Sequence, residues 1–71
     1  MKTTYRIIKN GENYIIRKAE PVNGYGARDY KYFNGYDFMG SVNWEKDMGN
    51  VSEELDWTSA TATMHDLMAA D

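Results

Sequence analysis

The sequence predicts an α+β fold: an antiparallel sheet of four or five strands, a meander of hairpins, packed on one C-terminal helix as a single small domain spanning residues 1–71. Three observations lead there. Asparagine-glycine pairs at Asn10-Gly11 and Asn34-Gly35 interrupt runs rich in β-branched and aromatic residues, as hairpin turns do. Side chains alternate between apolar and polar along Tyr5 to Lys18, the period of a half-buried strand. From Ser59 to Ala70 the period becomes helical, with Ala60, Met64, Leu67 and Met68 falling on one stripe.

The first hairpin is expected to turn on Asn10 and Gly11 in a type I′ turn, because both central residues must adopt positive φ and these two tolerate it best. That register sets Lys9 opposite Glu12 and Ile7 opposite Tyr14, and collects Tyr5, Ile7, Tyr14 and Ile16 on one apolar face. The other face carries Thr4, Arg6, Asn13 and Arg17, with Ile8 and Ile15 among them. The second strand ends near Ala19, before a loop punctuated by Pro21, Gly24 and Gly26. Ala27 to Phe33 resumes strand character. A three-residue turn over Asn34, Gly35 and Tyr36 then sets Tyr32 opposite Phe38 and leads into a fourth strand over 37–45, with Gly40 as a candidate bulge. Val51, Leu55 and Trp57 share one parity, which favours a fifth, acidic strand over a short helix at 51–57. Thr58 or Ser59 is expected to cap the C-terminal helix.

Composition narrows the function classes. With no cysteine among 71 residues there is no disulfide framework, thiolate metal site or redox motif. The start at Met1-Lys2-Thr3 lacks an apolar leader and no apolar run approaches the roughly 20 residues that cross a bilayer, so a soluble, cytoplasmic protein is expected. His65 is the single histidine, and no serine or cysteine stands in a nucleophile motif. Asn43, Glu45, Asp47 and Glu54 take positions of a calcium loop, but the glycine it requires comes one place late, at Gly49. The chain therefore reads as non-catalytic, with no metal and no cofactor.

Charge is unevenly placed. Residues 1–36 carry seven basic and three acidic side chains, net +4, whereas residues 37–71 carry one basic and eight acidic, net −7. Such a division bears on partners and on the rate of encounter. Two surfaces follow. Glu53, Glu54 and Asp56, with Asp47 and Glu45, would oppose a basic surface on a partner protein. Arg6, Arg17, Tyr25, Arg28 and Tyr30 would form a basic, aromatic sheet face able to stack single-stranded nucleic acid. Repulsion of phosphate by the acidic half makes direct nucleic-acid binding the less favoured of the two.

Lys9-Asn10-Gly11, Val22-Asn23-Gly24 and Gly26-Ala27-Arg28-Asp29-Tyr30 together resemble the middle of a small phage-encoded type I-F anti-CRISPR protein family, which places an asparagine-glycine turn, a VNG and a GARDF strand in the same order. The resemblance covers about a third of the chain. It implies an antiparallel sheet with helices, no catalysis, and a partner in the backbone subunits of a CRISPR surveillance complex, whose target DNA is blocked. Ile8 stands where that family has a contact tyrosine, and Ala19 where it has a contact glutamate, so its contact residues do not carry over. The function expected is a phage or mobile-element inhibitor that covers a basic nucleic-acid-binding surface of a host complex. A small nucleic-acid-binding module is the alternative.

Overall fold

The computed structural model describes residues 3–22 and 26–70. Strands β1 (Thr4–Asn10), β2 (Asn13–Pro21), β3 (Arg28–Tyr36) and β4 (Val42–Glu45) form one antiparallel sheet in the order β1-β2-β3-β4, followed by a single 3-10 turn at Met48–Asn50 and helix α1 (Trp57–Ala70). The helix lies against β1 and β2. This is the two-layer α+β arrangement expected, with four strands.

The first turn differs from expectation by one position. Asn10 pairs with Asn13, so Gly11 and Glu12 are the loop. Gly11 has φ +65° while no non-glycine residue among those described has positive φ, the signature of a type II′ turn with glycine first. The pairing this creates sets Ile7 against Ile16 and Ile8 against Ile15. Two β-branched pairs, one on each face, outweigh the exposed Lys9/Glu12 ion pair that the expected register offered. Because the partners move by two residues, the faces themselves are unchanged.

The second hairpin is corrected more deeply. Asn34 and Gly35 do not turn the chain but form a bulge inside β3, between the pairs Phe33–Trp44 and Tyr36–Val42. The extra residue brings Phe33 and Tyr36 to one side, where their rings meet edge to face at 5.4 Å. The reversal falls instead at Asp37–Ser41, so β4 begins at Val42, not Asp37, and Gly40 (φ +83°) belongs to the turn. Asp37 dominates that turn: its carboxylate accepts the N–H groups of Met39 and Ser41, each at 2.9 Å, and its carbonyl accepts from Gly40 at 3.0 Å. An aspartate followed three places on by glycine is the pattern of a type I turn.

Residues 51–56 form no fifth strand. β2 already has β1 and β3 beside it, and only its beginning is left uncovered where β3 bulges away. There Tyr14 donates to the Leu55 carbonyl at 2.9 Å, in an isolated bridge. The segment is pinned at its middle by Asn34, whose side-chain oxygen accepts from the Ser52 N–H (2.9 Å), the Glu53 N–H (3.2 Å) and the Ser52 hydroxyl (3.3 Å). The helix then starts at Trp57, earlier than expected, because Asp56 rather than Thr58 or Ser59 caps it: the Asp56 carboxylate accepts from the Ser59 N–H at 2.7 Å and its carbonyl from Ala60 at 2.9 Å.

The core consists of Ile16, Phe33, Leu55, Ala60 and Leu67, flanked by Tyr5, Ile7, Tyr14, Val42, Trp44 and Met64. It thus takes the apolar face of the first hairpin and three of the four residues of the predicted helical stripe; Met68 remains exposed. Phe33 is the core residue of β3, with Trp44 at 6.2 Å. Ile15 and Ala19 are buried as well but stand outside this cluster, on the opposite face of β2. At the margin of the helix-covered face, Lys18 and Lys31 face each other across β2 and β3 and share the Glu20 carboxylate, at 3.6 and 3.2 Å.

Candidate functional site

Two surfaces stand out, and neither is a cleft. The first lies where the β3–β4 turn and the segment before the helix come together. Phe38 is 98% exposed and Met39 78% exposed at the tip of the turn. Side chains so apolar are seldom left this open on a rigid element, and the Asp37 bonds keep the tip from collapsing onto the sheet. Beside the root of this hairpin, Glu53 is fixed by Asn34, and its carboxylate lies against Gly35, whose missing Cβ would stand 2.9 Å from a carboxylate oxygen. Glu54 follows on the same exposed segment, and Trp57, also exposed, rests edge to face on Tyr14 at 5.4 Å.

The acidic residues expected to form one patch are divided by the fold. Glu53 and Glu54 stay together on the extended segment. Asp56 is the helix cap, and Asp47 accepts from the Gly49 N–H at 3.0 Å as cap of the 3-10 turn. Glu45 sits in β4 opposite Tyr32, on the sheet face away from the helix. Hydrogen bonds from the Ser59 N–H and hydroxyl hold the Asp56 carboxyl below the ordinary aspartate range. A lowered value means that the ionised cap stabilises the fold above about pH 4, and that this contribution fades as pH falls through the folded-state value. Asp56→Asn keeps an oxygen acceptor without the titration. The acid limb of a melting-temperature profile should therefore become shallower in this variant with little change at pH 7; an unaltered acid limb would show that the cap is not titrating.

The second surface is the open face of the sheet. Arg6 stands opposite Arg17, Arg17 opposite Tyr32, Ala19 opposite Tyr30 and Pro21 opposite Arg28, so all of these project from the side away from α1. The Arg17 guanidinium lies over the Tyr30 ring, 4.5 Å from its centroid, and its Nε is buried with no partner among the described residues. The structure thus places Arg6, Arg17, Arg28 and Tyr30 on one sheet face, together with Tyr32. Tyr25 lies outside the described residues.

Sequence reasoning missed the apolar tip. The signal was present in Asp37-Phe38-Met39-Gly40, but the neighbouring Asn34-Gly35 took the turn assignment. His65 is exposed on the helix, and among the described residues no three His, Asp or Glu side chains converge to hold a metal ion. No described helix is long and apolar enough to cross a membrane. Comparison with family models, with curated proteins and with solved structures finds no match.

Proposed function

We propose that this chain is a non-catalytic binding protein, an inhibitor of the kind phages and mobile elements encode, which covers a basic nucleic-acid-binding surface of a host protein complex. The observation that carries this reading is the clamped Phe38–Met39 tip. A convex apolar projection cannot enclose a small ligand, so it suits insertion into a pocket of a larger partner. Pre-organisation by Asp37 removes part of the ordering cost of docking. Glu53, at the root of this hairpin, and Glu54 after it supply the charge complement to a basic rim. The resemblance of residues 9–30 to type I-F anti-CRISPR proteins names a CRISPR surveillance complex as the first partner to try.

The two parts of this site should separate kinetically. With purified type I-F surveillance complex, the protein should bind and should block capture of target DNA in a gel shift. Phe38→Ser should speed dissociation by roughly 10-fold to 100-fold, since burying such a side chain is worth about 1.5–3 kcal/mol. Glu53→Gln with Glu54→Gln should instead slow association at low salt by roughly tenfold and leave dissociation nearly unaltered. Undiminished DNA capture at saturating protein would reject this partner, and a bound complex indifferent to Phe38→Ser would reject the tip as its anchor.

A further inference from the structure

The open sheet face carries a separate site, and the geometry points to single-stranded nucleic acid as its ligand. Across β1, β2 and β3 this face presents Arg6, Arg17 and Arg28 with Tyr30 and Tyr32, and no carboxylate; Glu45, on β4, stands at its border. Asp37, Asp47 and Asp56 keep their charge while they accept turn and cap hydrogen bonds, and Glu53 and Glu54 sit on the segment that leads into the helix; none of the five stands on β1, β2 or β3, where the basic and aromatic side chains of this face are. The face is therefore locally basic in an acidic protein.

The arrangement is also one that stability alone does not favour. Arg6 and Arg17 are directly opposite on an antiparallel pair, where like charges repel, and neither forms an ion pair among the described residues. A ligand with regularly spaced negative charge relieves that repulsion, and local conflict with the fold is characteristic of binding surfaces. The Arg17 guanidinium laid on Tyr30 makes one flat cationic and aromatic surface, with Tyr32 beside it in the next row. Flat surfaces of this type stack unpaired bases, whereas the bases of a duplex are stacked on each other and expose only their edges. Four residues along the strands, about 13 Å, separate the Arg17 row from the Arg28 row, so the face offers a short basic track with aromatic rings between its ends. Asn13 on the same face provides an amide at its other end.

The test uses the whole chain and fluorescein-labelled oligo(dT) and oligo(U) of about fifteen nucleotides, read by fluorescence anisotropy at low and moderate salt. Both strands should bind more tightly than a blunt duplex of the same length, with affinity falling as salt rises. Arg6→Gln, on an exposed side chain, should weaken binding by roughly fivefold to tenfold and flatten the salt dependence; Tyr32→Ala should weaken it by a similar factor without changing the salt slope. Circular dichroism of each variant establishes that it is folded. Glu53→Gln with Glu54→Gln should not weaken binding, which separates this face from the acidic segment. Absence of any anisotropy change at about 100 μM protein overturns the inference, as does equal affinity for duplex and single strand, or a loss caused by the Glu53 and Glu54 changes and not by Arg6→Gln. Failure here leaves the proposed inhibitor site untouched, because the two are read with different partners and different variants.

Discussion

Phe33→Ala is expected to leave the domain largely unfolded at 37 °C. Phe33 is 2% exposed and meets the rings of Tyr36 and Trp44 edge to face on one side of β3, in the same cluster as Ile16, Leu55, Ala60 and Leu67. Removing a buried phenylalanine costs about 3–5 kcal/mol through lost transfer energy and the cavity left behind. A domain of 71 residues has a total stability of only roughly 5 kcal/mol, so little remains. Phe33→Leu, which keeps most of the volume, should cost about 1 kcal/mol and stay folded. Urea unfolding followed by tryptophan fluorescence checks both. A loss under about 1 kcal/mol for the alanine variant would mean that β3 presents its other face to the helix.

The second large effect is expected at Gly35. This residue is buried in the bulge with φ +81°, and a Cβ there would stand 2.9 Å from a Glu53 carboxylate oxygen. Gly35→Val should therefore cost about 1–2 kcal/mol from the left-handed backbone, because the atoms nearest the added Cβ are the end of the flexible, exposed Glu53 side chain, which swings aside. Gly11→Val is the control. Gly11 also has positive φ, at +65°, but nothing lies within 4 Å of the added Cβ, so about 1 kcal/mol is expected from the backbone alone. Calorimetric melting temperatures should fall by similar amounts in the two variants; a much larger loss at Gly35 would show that Glu53 is held against the bulge and does not move aside.

The elements legible in the sequence were those whose local signals agreed with one another. Alternation placed Tyr5, Ile7, Tyr14 and Ile16 on the core side, and it did so in spite of a turn set one residue too early, because a pairing shifted by two residues preserves every face. Ala60, Met64 and Leu67 were likewise visible from helical spacing alone. Failure came where two turn signals lay close together. Asn34-Gly35 is the stronger pair in isolation, yet its asparagine holds the amides of Ser52 and Glu53, a bond across 18 and 19 residues that no local pattern announces. With the reversal at Asp37–Ser41, Phe33 pairs with Trp44 in the core and Tyr32 with Glu45 on the open face. The same long-range tie explains why 51–56 resisted assignment: the segment takes its shape from Asn34 and Tyr14, not from its own propensity.

The arginine and tyrosine face was partly readable, since Arg6 and Arg17 share a side in either register. Its isolation from the carboxylates was not. Asp47 and Asp56 stand, still charged, at the starts of the 3-10 turn and of the helix, held there by hydrogen bonds from Gly49 and Ser59, and so outside the three strands that carry the arginines and tyrosines.

A four-stranded sheet in the order β1-β2-β3-β4 has two open margins, and among the described residues no second helix covers either. Each outer strand presents a row of backbone groups on which another chain could polymerise. At β4 the exposure is brief, four residues enclosed between a tight reversal and a 3-10 turn, and the bulge opposite adds twist. At β1 it extends over seven residues, but Arg6 and Lys9 are exposed along it, and any strand laid alongside must accommodate both cations. Short length at one margin and charge at the other discourage edge-to-edge growth, so the sheet is stopped at four strands by its own side chains.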